Sequence, residues 1–311
     1  MKRGGLDMNA KFYLDNPKRL FIRLGRNSFL RLLDDKTYIK MIYKVKFGRD
    51  LNVDNPKTFN EKLQWLKLYD RKPIYTAMVD KIEAKKFVAG IIGQEHIIPT
   101  LGVWNRFDDI QFDKLPEQFV LKCSHDSGGL FICKNKKMFN AAEAKKVINK
   151  CLKQNYYWLS REWPYKNVQP RILAEQYMED KTLSSSGLVD YKFFCFNGNP
   201  KLLYVSRGLD NHPTAEISFY GMDGIEKEYH RNDYKPYHNA IMPSNFDEMK
   251  SIAKRIAAEV DSPFVRIDLY SINGGIFFSE ITLSPCSGMI PFEPMNADME
   301  LGKELHIRTE C

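Results

Sequence analysis

Two acidic residues in the last fifty residues have the spacing of a shared metal site. Residues 262–289 read as two extended runs around a glycine-containing turn at residues 273–275, with Asp268 and Glu280 each six residues from its middle. In such a hairpin the two carboxylates face each other, and Thr282 shares their face. Carboxylate and hydroxyl oxygens suit Mg²⁺, which bridges phosphate groups. The pattern therefore predicts a magnesium site and indicates nucleotide chemistry.

A lysine and a glycine-rich turn form a second candidate site. Lys122 ends an apolar run, 119–121, and precedes a turn that contains Ser127, Gly128 and Gly129. Backbone N–H groups of such a turn can close over phosphates while the lysine supplies a compensating charge. A Walker loop is excluded, because no Gly-Lys-Ser/Thr opens a helix here. The alternative is an ordinary hairpin turn.

The apolar segment 172–178, ILAEQYM, carries a possible nucleobase pocket. An adenine ring needs a backbone donor and acceptor in an apolar slot and an acceptor for its amine. Gln176, Tyr177 and Met178 supply the backbone groups and Glu175 the acceptor. A glutamate exposed on an edge strand is the alternative.

Three cations lie on neighbouring predicted strands. Lys192 begins one strand and Arg207 ends its hairpin partner, so the two are expected side by side, facing an anion. Arg266 lies two residues before Asp268, on the same strand face, where a guanidinium can hold a carboxylate or a developing oxyanion. Solvated strand ends and a structural ion pair to Asp268 are the alternatives.

The length and composition of the chain are those of a folded protein. With 311 residues, 43% of them apolar, the chain can bury a large core in two or three lobes. It has no apolar run of about 18 residues and no signal-peptide pattern, so a cytoplasmic protein is expected. Its six cysteines are scattered, which predicts neither disulfides nor a zinc site.

The net charge is concentrated at the N-terminus. Residues 1–50 hold 13 Lys+Arg and 5 Asp+Glu, which accounts for the whole excess of +8. Basic and apolar residues alternate from Pro17 to Arg49, so amphipathic helices are expected there. Such helices either dock on the body with their basic face outward or associate peripherally with an anionic polymer or the inner face of the membrane. No nucleic-acid-binding motif is present.

The elements between these sites predict an α+β fold. Helices are expected to open near Thr58 or Asn60 and to cover 75–89, 140–155 and 244–260. Extended runs are expected at 119–133, 171–178, 189–196 and 201–206. Strands that pair through tight turns, with helices grouped between them, favour α+β over a doubly wound sheet.

The order of the motifs carries a family resemblance. Asp80-Lys81, then FVLK with a Ser-Gly-Gly turn, AEQYM, DYK, RID and EITLSPCSGM resemble the ATP-grasp superfamily. The longer strings NPKTFNEKLQWLKLYDR and LPEQFVLKCSHDSGG resemble its TupA-like branch, found in polysaccharide assembly. The resemblance implies an ATP-grasp fold in which two lobes with antiparallel sheets grip ATP. It also implies a division into a basic helical region 1–55, a substrate lobe 56–115, a small lobe 116–180 and a C-terminal lobe 181–311.

The resemblance also assigns roles to residues. Lys81 and Lys122 match phosphate-contacting lysines, and Ser127, Gly128 and Gly129 match the turn that closes on the phosphates. The adenine contacts match Glu175 and residues 176–178, and Asp180 is the expected ribose contact. Lys192 and Arg207 match cations that hold the transferred phosphate, and Arg266 matches the arginine that steadies the tetrahedral intermediate. Asp268, Glu280 and Thr282 match the ligands of Mg²⁺, with Mn²⁺ as a substitute; the superfamily commonly has Asn where this chain has Thr282.

The implied activity is ATP-dependent amide formation. ATP would convert a carboxylate into an acyl phosphate, which an amine then attacks. From the family's setting, the expected acceptor is a hexuronic acid of a glycan, a nucleotide sugar or a lipid-linked precursor, and the amine an amino acid or amino alcohol. A glycosyltransferase of the same pathway and a non-enzymatic nucleotide-binding protein are the competing hypotheses.

Overall fold

The computed structural model describes residues 28–126, 129–182, 187–209 and 214–308, which contain a four-stranded and a five-stranded antiparallel sheet, a two-stranded sheet of His230–Arg231 and Phe292–Glu293, and the helices that cover the two large sheets. The strands are β1 Thr100–Trp104, β2 Phe119–Cys123, β3 Leu130–Cys133, β4 Ile172–Gln176, β5 Val189–Phe196, β6 Asn199–Arg207, β7 Glu216–Tyr220, β8 His230–Arg231, β9 Phe264–Ile272, β10 Gly275–Thr282 and β11 Phe292–Glu293. The α-helices are α1 Asp35–Phe47, α2 Phe59–Tyr69, α3 Ile74–Val79, α4 Lys81–Ile92, α5 Ala141–Leu152, α6 Tyr157–Ser160, α7 Phe246–Val260 and α8 Asn296–Glu304. The predicted α+β class is confirmed.

The smaller sheet has the strand order β1-β4-β2-β3. One face is apolar and packs against α5 in a core that includes Phe119, Leu121 and Ile148. The opposite face carries Lys122 and Glu175, and it leaves Leu130 and Ile132 exposed. A sheet face that combines charged groups with uncovered apolar side chains is suited to a ligand rather than to a helix.

The larger sheet has the strand order β10-β9-β5-β6-β7 and is covered on both faces. Helices α4 and α7 pack on one face. On the other face, α2 and α8 cover an aromatic cluster built around Phe59. The sheet's charged residues lie beyond the end of this aromatic cluster, on the same face as Phe194.

The hairpin β9–β10 brings the two predicted metal carboxylates opposite each other. Its turn consists of Asn273 and Gly274, both in the left-handed region with φ of 50° and 83°, as a two-residue hairpin turn requires. That turn alone would place Asp268 opposite Ser279. A bulge at Ser279 shifts the register by one residue and pairs Glu280 with Asp268. Asp268 and Glu280 are therefore cross-strand neighbours, as the sequence predicted. They are so because of the bulge, which the prediction from equal spacing around the turn did not include.

The helix predicted over 75–89 is broken at Asp80. Asp80 is extended, with φ −78° and ψ 115°, and its carboxylate accepts hydrogen bonds from the backbone N–H groups of Ile82 and Glu83. It therefore ends α3 and caps α4. The sequence pattern missed this break because the apolar spacing continues through it.

Residues 56–115 do not form a lobe of their own, which differs from the predicted division. Helices α2 to α4 pack on the larger sheet, whereas β1 pairs with β4 in the smaller sheet. The segment 107–115 contributes Phe107 and Leu115 to the core of the smaller sheet. The division was misplaced because β1 finds its partner some seventy residues further along the chain.

The N-terminal basic region is described only from residue 28 onward. Helix α1 buries Tyr38, Ile39 and Tyr43 against the body, as the docked alternative predicted. The arginines before residue 28 lie outside the described residues. Within the described ranges, no helix is long and apolar enough to cross a membrane.

Replacing Phe59 should reveal how much α2 contributes to stability. Phe59 is fully buried and its ring contacts the rings of Phe194, Phe196, Phe264 and Phe292. We expect Phe59→Ala to lower the free energy of unfolding by about 3–5 kcal/mol, because it leaves a cavity in this cluster. Urea unfolding measures the change, with Tyr69→Ala on the exposed side of α2 as the control. A loss no larger than that of the control would contradict this packing.

Candidate active site

A buried network of charges lies where β5, β9 and β10 run side by side. Asp268 is fully buried, and its two oxygens accept hydrogen bonds from Nε and Nη2 of Arg266, both at 2.6 Å. Nζ of Lys192 donates to Oδ2 of Asp268 at 2.9 Å, and Nη2 of Arg266 also donates to Oε1 of Glu280 at 2.9 Å. Two cations thus hold two carboxylates together in the interior, where an unpaired charge would be costly.

Glu280 is the accessible member of this network. About a third of its side chain is exposed, 33% by area. The Thr282 hydroxyl donates to its Oε1 at 3.1 Å, and Nζ of Lys81 lies 3.8 Å from its Oε2. Burial opposes ionisation, but Lys81, Arg266 and Lys192 outweigh it and lower the pKa of Glu280 to about 2. Glu280 is therefore ionised at neutral pH and can act as a metal ligand.

Lys192 stays charged although it is buried. Its Nζ donates to Asp190 at 3.0 Å as well as to Asp268. Burial favours the neutral amine, yet Asp190 and Asp268 outweigh it and raise the pKa of Lys192. The network therefore supplies two permanent cations, Lys192 and Arg266.

A second buried network lies on the uncovered face of the smaller sheet. Glu175 is bound by Lys122 at 2.6 Å between Nζ and Oε2, and its Oε1 contacts Nζ of Lys85. Although burial opposes ionisation, these lysines lower the pKa of Glu175 to about 2. Lys85 was not singled out from the sequence. Its position one helical turn after Lys81 is the signal that could have found it, because residues four apart share a helix face.

Helix α4 connects the two networks. Lys81 at its first turn reaches Glu280 of the larger sheet, and Lys85 reaches Glu175 of the smaller sheet. The backbone N–H of Lys81 donates to the carbonyl of Ser124 at the end of β2, and its Nζ donates to the Asp126 carbonyl at 2.9 Å. The cations that contact the two sheets therefore lie around the first turns of α4, and the region that they border is called the cleft below.

The predicted phosphate turn begins at this cleft. Ser127 and Gly128 lie outside the described residues. Gly129 is buried, and a side chain there would bring its Cβ within 2.5 Å of the Cys151 sulfur, so only glycine fits. Its carbonyl accepts a hydrogen bond from the N–H of Cys123, which closes the turn between β2 and β3.

The predicted nucleobase and ribose contacts lie at the end of β4. Gln176 and Tyr177 line a cavity of about 570 Å³ together with Leu101, residues 116–118, Lys134 and Asn135. Met178 follows at a partly exposed position. Oδ1 of Asp180 accepts hydrogen bonds from the N–H and hydroxyl of Thr182. The assigned roles of these residues stay predictions.

Arg207 does not lie beside Lys192, contrary to expectation. It pairs with Val189 across β5 and β6, so it lies on the face of the sheet opposite to Lys192. There its guanidinium binds Glu216 at 2.5 Å and stacks 4.3 Å from the ring centre of Tyr237. The prediction was wrong because it did not consider which face of the sheet Arg207 occupies. Lys192 pairs with Tyr204, and Arg207 lies an odd number of residues from Tyr204, so the two cations face opposite sides.

The donor set fits Mg²⁺ when the metal arrives with phosphate groups. Both oxygens of Asp268 are engaged by Arg266 and Lys192, and Glu280 shares Arg266. Phosphate oxygens would give these cations alternative partners, which frees carboxylate oxygens for a hard cation. Thr282 adds a hydroxyl oxygen next to Glu280.

Two large antiparallel sheets with cations at their boundary agree with the ATP-grasp fold that the sequence resemblance implied. A family model described as TupA-like ATPgrasp matches residues 61–306. The chain belongs to this family.

Solved structures that are similar to the chain share little sequence with it. D-alanyl-alanine synthetase A from Vibrio cholerae is 14% identical with a TM-score of 0.41, over 75% of this chain and 61% of that one. D-Alanine-D-Alanine Ligase from Helicobacter pylori is 14% identical with a TM-score of 0.41, over 80% and 69% of the two chains. The ATP-grasp ligase PsnB, in a complex with Mg and ADP, is 13% identical with a TM-score of 0.45, over 99% and 75%. None of the curated proteins matches the chain. The chain thus spans less than two thirds of the length of the Vibrio protein.

Neutralising Glu175 should destabilise the protein in a pH-dependent way. The folded-state pKa of about 2 lies below the ordinary 4.5, so the ionised form stabilises the fold above the ordinary value. This contribution, roughly 3 kcal/mol, is lost as pH falls from about 5 to about 2. We expect Glu175→Gln to lower the free energy of unfolding at pH 7 and the deficit to narrow on acidification. Urea titrations at several pH values measure it, with the exposed Glu259→Gln as the control; a pH-independent deficit would contradict the ion-pair origin.

Proposed function

We propose that the protein is an ATP- and Mg²⁺-dependent carboxylate–amine ligase that forms an amide through an acyl phosphate and releases ADP. The observation that carries the proposal is the arrangement of cations along one cleft. Lys85 and Lys122 lie on the side of the smaller sheet, Lys192 and Arg266 on the side of the larger sheet, and Lys81 lies between them. A triphosphate is a ligand whose several negative charges can be neutralised by such a group of cations.

The lysines on the small-sheet side are suited to bind the phosphate chain. Lys85 and Lys122 share the single carboxylate of Glu175, so the three residues together keep a positive charge that can attract a phosphate. The exposed apolar side chains of Leu130 and Ile132 lie on the same face and can cover a nucleobase. We assign phosphate binding to Lys81, Lys85 and Lys122, and adenine recognition to the region of Glu175 and residues 176–178.

The residues of the larger sheet are suited to the chemical step. A carboxylate is a poor acyl donor, and phosphorylation gives it a leaving group. Lys192 can hold the transferred phosphate, because it is a permanent cation inside the cleft. Arg266 can stabilise the oxyanion that forms when the amine attacks, since preorganised donors act strongly in a water-poor site. Asp268, Glu280 and Thr282 would hold Mg²⁺, which supplies charge neutralisation for the phosphates.

The substrates are proposed from the family's association with polysaccharide assembly. The acceptor carboxylate is a hexuronic acid of a bacterial surface polysaccharide, a nucleotide sugar or a lipid-linked precursor, and the amine is an amino acid or amino alcohol. The basic N-terminal residues suit an acidic glycan or an anionic membrane surface. A cytoplasmic protein that associates peripherally with the inner face of the membrane is consistent with this.

An ATP-dependent coupling assay tests the activity. The protein is incubated with ATP, Mg²⁺ and D-glucuronate, D-galacturonate or their UDP derivatives, each with ethanolamine or one of the amino acids. We expect ADP and a product with the mass of the amide. Glu280→Gln should lower the rate about 10²-fold or more by removing charge stabilisation in the site. Absence of ADP with the whole panel, or release of UDP without ADP as a glycosyltransferase would give, would contradict the proposal.

Lys85 and Lys86 provide a matched pair for the assignment of ATP binding. Lys85 contacts Glu175 in the cleft, whereas its neighbour Lys86 is exposed and pairs only with Glu83 among the described residues. We expect Lys85→Met to weaken ATP binding at least tenfold and Lys86→Met to leave it within about twofold, because only the first removes a cation from the cleft. Isothermal titration with ATP measures both. Equal effects would refute the assignment of Lys85.

Charge reversal tests the role of the N-terminal region. We expect a single variant that carries all four substitutions to bind more weakly to vesicles that contain phosphatidylserine: Arg19→Glu, Arg23→Glu, Arg26→Glu and Arg31→Glu. The reason is that each basic residue near such a surface adds about 1 kcal/mol of binding free energy. Co-sedimentation with the vesicles measures binding. Reversal of Lys146, Lys150 and Lys153 at the end of α5 is the control. Unchanged sedimentation would remove the proposed membrane association.

A further inference from the structure

The loop that follows β10 has an unusual backbone. Cys286 and Ser287 have φ of 51° and 59°, and Gly288 follows with φ 70°. Left-handed conformations are uncommon for residues other than glycine and cost about 1–3 kcal/mol each. Two in succession require that surrounding contacts hold the loop in place.

Two polar side chains of helix α2 donate hydrogen bonds to the backbone of this loop. Nε2 of Gln64 donates to the carbonyls of Gly288 at 2.6 Å and Ser287 at 3.1 Å, and Nζ of Lys67 also donates to the Ser287 carbonyl at 3.1 Å. Gln64 and Lys67 are buried. Gln64 and Lys67 therefore bind the carbonyl of Ser287, whereas its hydroxyl has a different partner.

The Ser287 hydroxyl contacts a buried carboxylate. It donates to Oε1 of Glu162 at 3.0 Å, and the Ser160 hydroxyl donates to the same oxygen at 2.9 Å. Glu162 is 5% exposed, whereas Ser287 is partly exposed. Ser287 therefore lies between a buried carboxylate and the accessible side of the loop.

This pair borders the proposed reaction centre. Ser287 lies five residues after Thr282 in the chain. Thr282 pairs with Arg266 across β9 and β10. Helix α3 packs against both β10 and residues 163–167, which follow Glu162 in the chain. The Cys286–Ser287 loop therefore follows directly from the strand end that carries Thr282 and pairs with Arg266.

We propose that Ser287 and Glu162 form a proton relay that deprotonates the attacking amine; this inference rests on the proposed ligase function. The ammonium group gives a proton to Oγ of Ser287 as the Ser287 hydroxyl proton passes to the Glu162 carboxylate. The products are the free amine, an unchanged serine and a protonated Glu162. The amine then forms its bond to the acyl carbon as the bond from that carbon to the phosphate oxygen breaks, and the second proton lost by the nitrogen leaves with the phosphate as hydrogen phosphate. Glu162 returns its proton to solvent.

The ligation step has a need for such a base. An ammonium ion has no lone pair, so the amine cannot attack until it loses a proton. Burial raises the pKa of Glu162 and brings it closer to neutrality, which makes the carboxylate a better base, while Lys67, Ser160, Ser287 and Arg266 oppose this rise. Ser287 touches the substrate in this scheme, and Glu162 acts through it.

The groups around Glu162 determine the expected pH dependence. Lys67 faces it from α2, Ser160 from α6, Arg266 from β9 and Ser287 from the loop, and the hydroxyl of Tyr165 is also influenced by its charge. The pKa of Lys67 is itself lowered to about 8 by burial. The relay needs an ionised Glu162, so amide formation should rise as pH increases through the pKa of Glu162.

Two nucleophiles separate the relay from the rest of the reaction. Ethanolamine is an ammonium ion at neutral pH and needs the relay, whereas hydroxylamine is uncharged there and traps an acyl phosphate without a base. With D-glucuronate, ATP and Mg²⁺, we expect Glu162→Gln and Ser287→Ala to lower amide formation with ethanolamine about 10²-fold or more. Hydroxamate formation with hydroxylamine should stay within about threefold of the unchanged protein. Ser160→Ala removes an equivalent hydrogen bond to the same oxygen and should retain both products.

The outcomes distinguish the relay from the proposed function. Absence of both products with the unchanged protein refutes the ligase proposal and the relay with it. Equal loss of both products in Glu162→Gln and Ser287→Ala refutes the relay alone and gives these residues a structural role. Equal behaviour of Ser287→Ala and Ser160→Ala also refutes it. Loss of the acidic limb of the pH profile in Glu162→Gln, with hydroxamate formation retained, supports it.

Discussion

The buried ion pair between Asp268 and Arg266 is the interaction on which the rest of the site depends. Asp268 is fully buried, so its charge must be balanced from within the protein, and Arg266 and Lys192 provide that balance. Together with the contact between Arg266 and Glu280, these contacts link the three neighbouring strands β5, β9 and β10. They also keep Lys192 and Arg266 charged and paired with Asp268. A polyphosphate ligand can take the place of this carboxylate as the partner of either cation.

Helix α4 extends the same principle across the cleft. The break at Asp80 starts a new helix beside the end of β2. Lys81 and Lys85 lie one turn apart on the same face of this helix, and Lys81 contacts the larger sheet whereas Lys85 contacts the smaller one. Arg171, at the start of β4, binds Asp80 at 2.7 Å and thereby ties the helix cap to the smaller sheet. A single helix terminus therefore sets the spacing between the two groups of cations.

Helix α2 contributes to the site by a different route. Its apolar residues pack in the aromatic cluster, but Asn60, Gln64 and Lys67 are buried as well and bond to the backbone of residues 287–290. Buried polar groups are costly unless their hydrogen bonds are satisfied, so this part of the loop is strongly specified. The strained conformation at Cys286 and Ser287 persists because a helix more than two hundred residues away in sequence holds it.

The sequence alone determined the family, the α+β class and the neighbourhood of Asp268 and Glu280 on one hairpin, because the order of short motifs and the position of a turn are local properties. Their direct pairing depends on the bulge at Ser279, which the sequence did not predict. The sequence also offered Thr58 or Asn60 as a helix cap, and in the structure Thr58 is the cap. It did not identify Lys85 or Glu162, and it placed Arg207 on the wrong face of the sheet. Lys85 depends on which way a helix faces, Glu162 on contacts with residues far along the chain, and Arg207 on strand parity. Tertiary structure decided these three because burial and pairing between distant segments determine which charges meet.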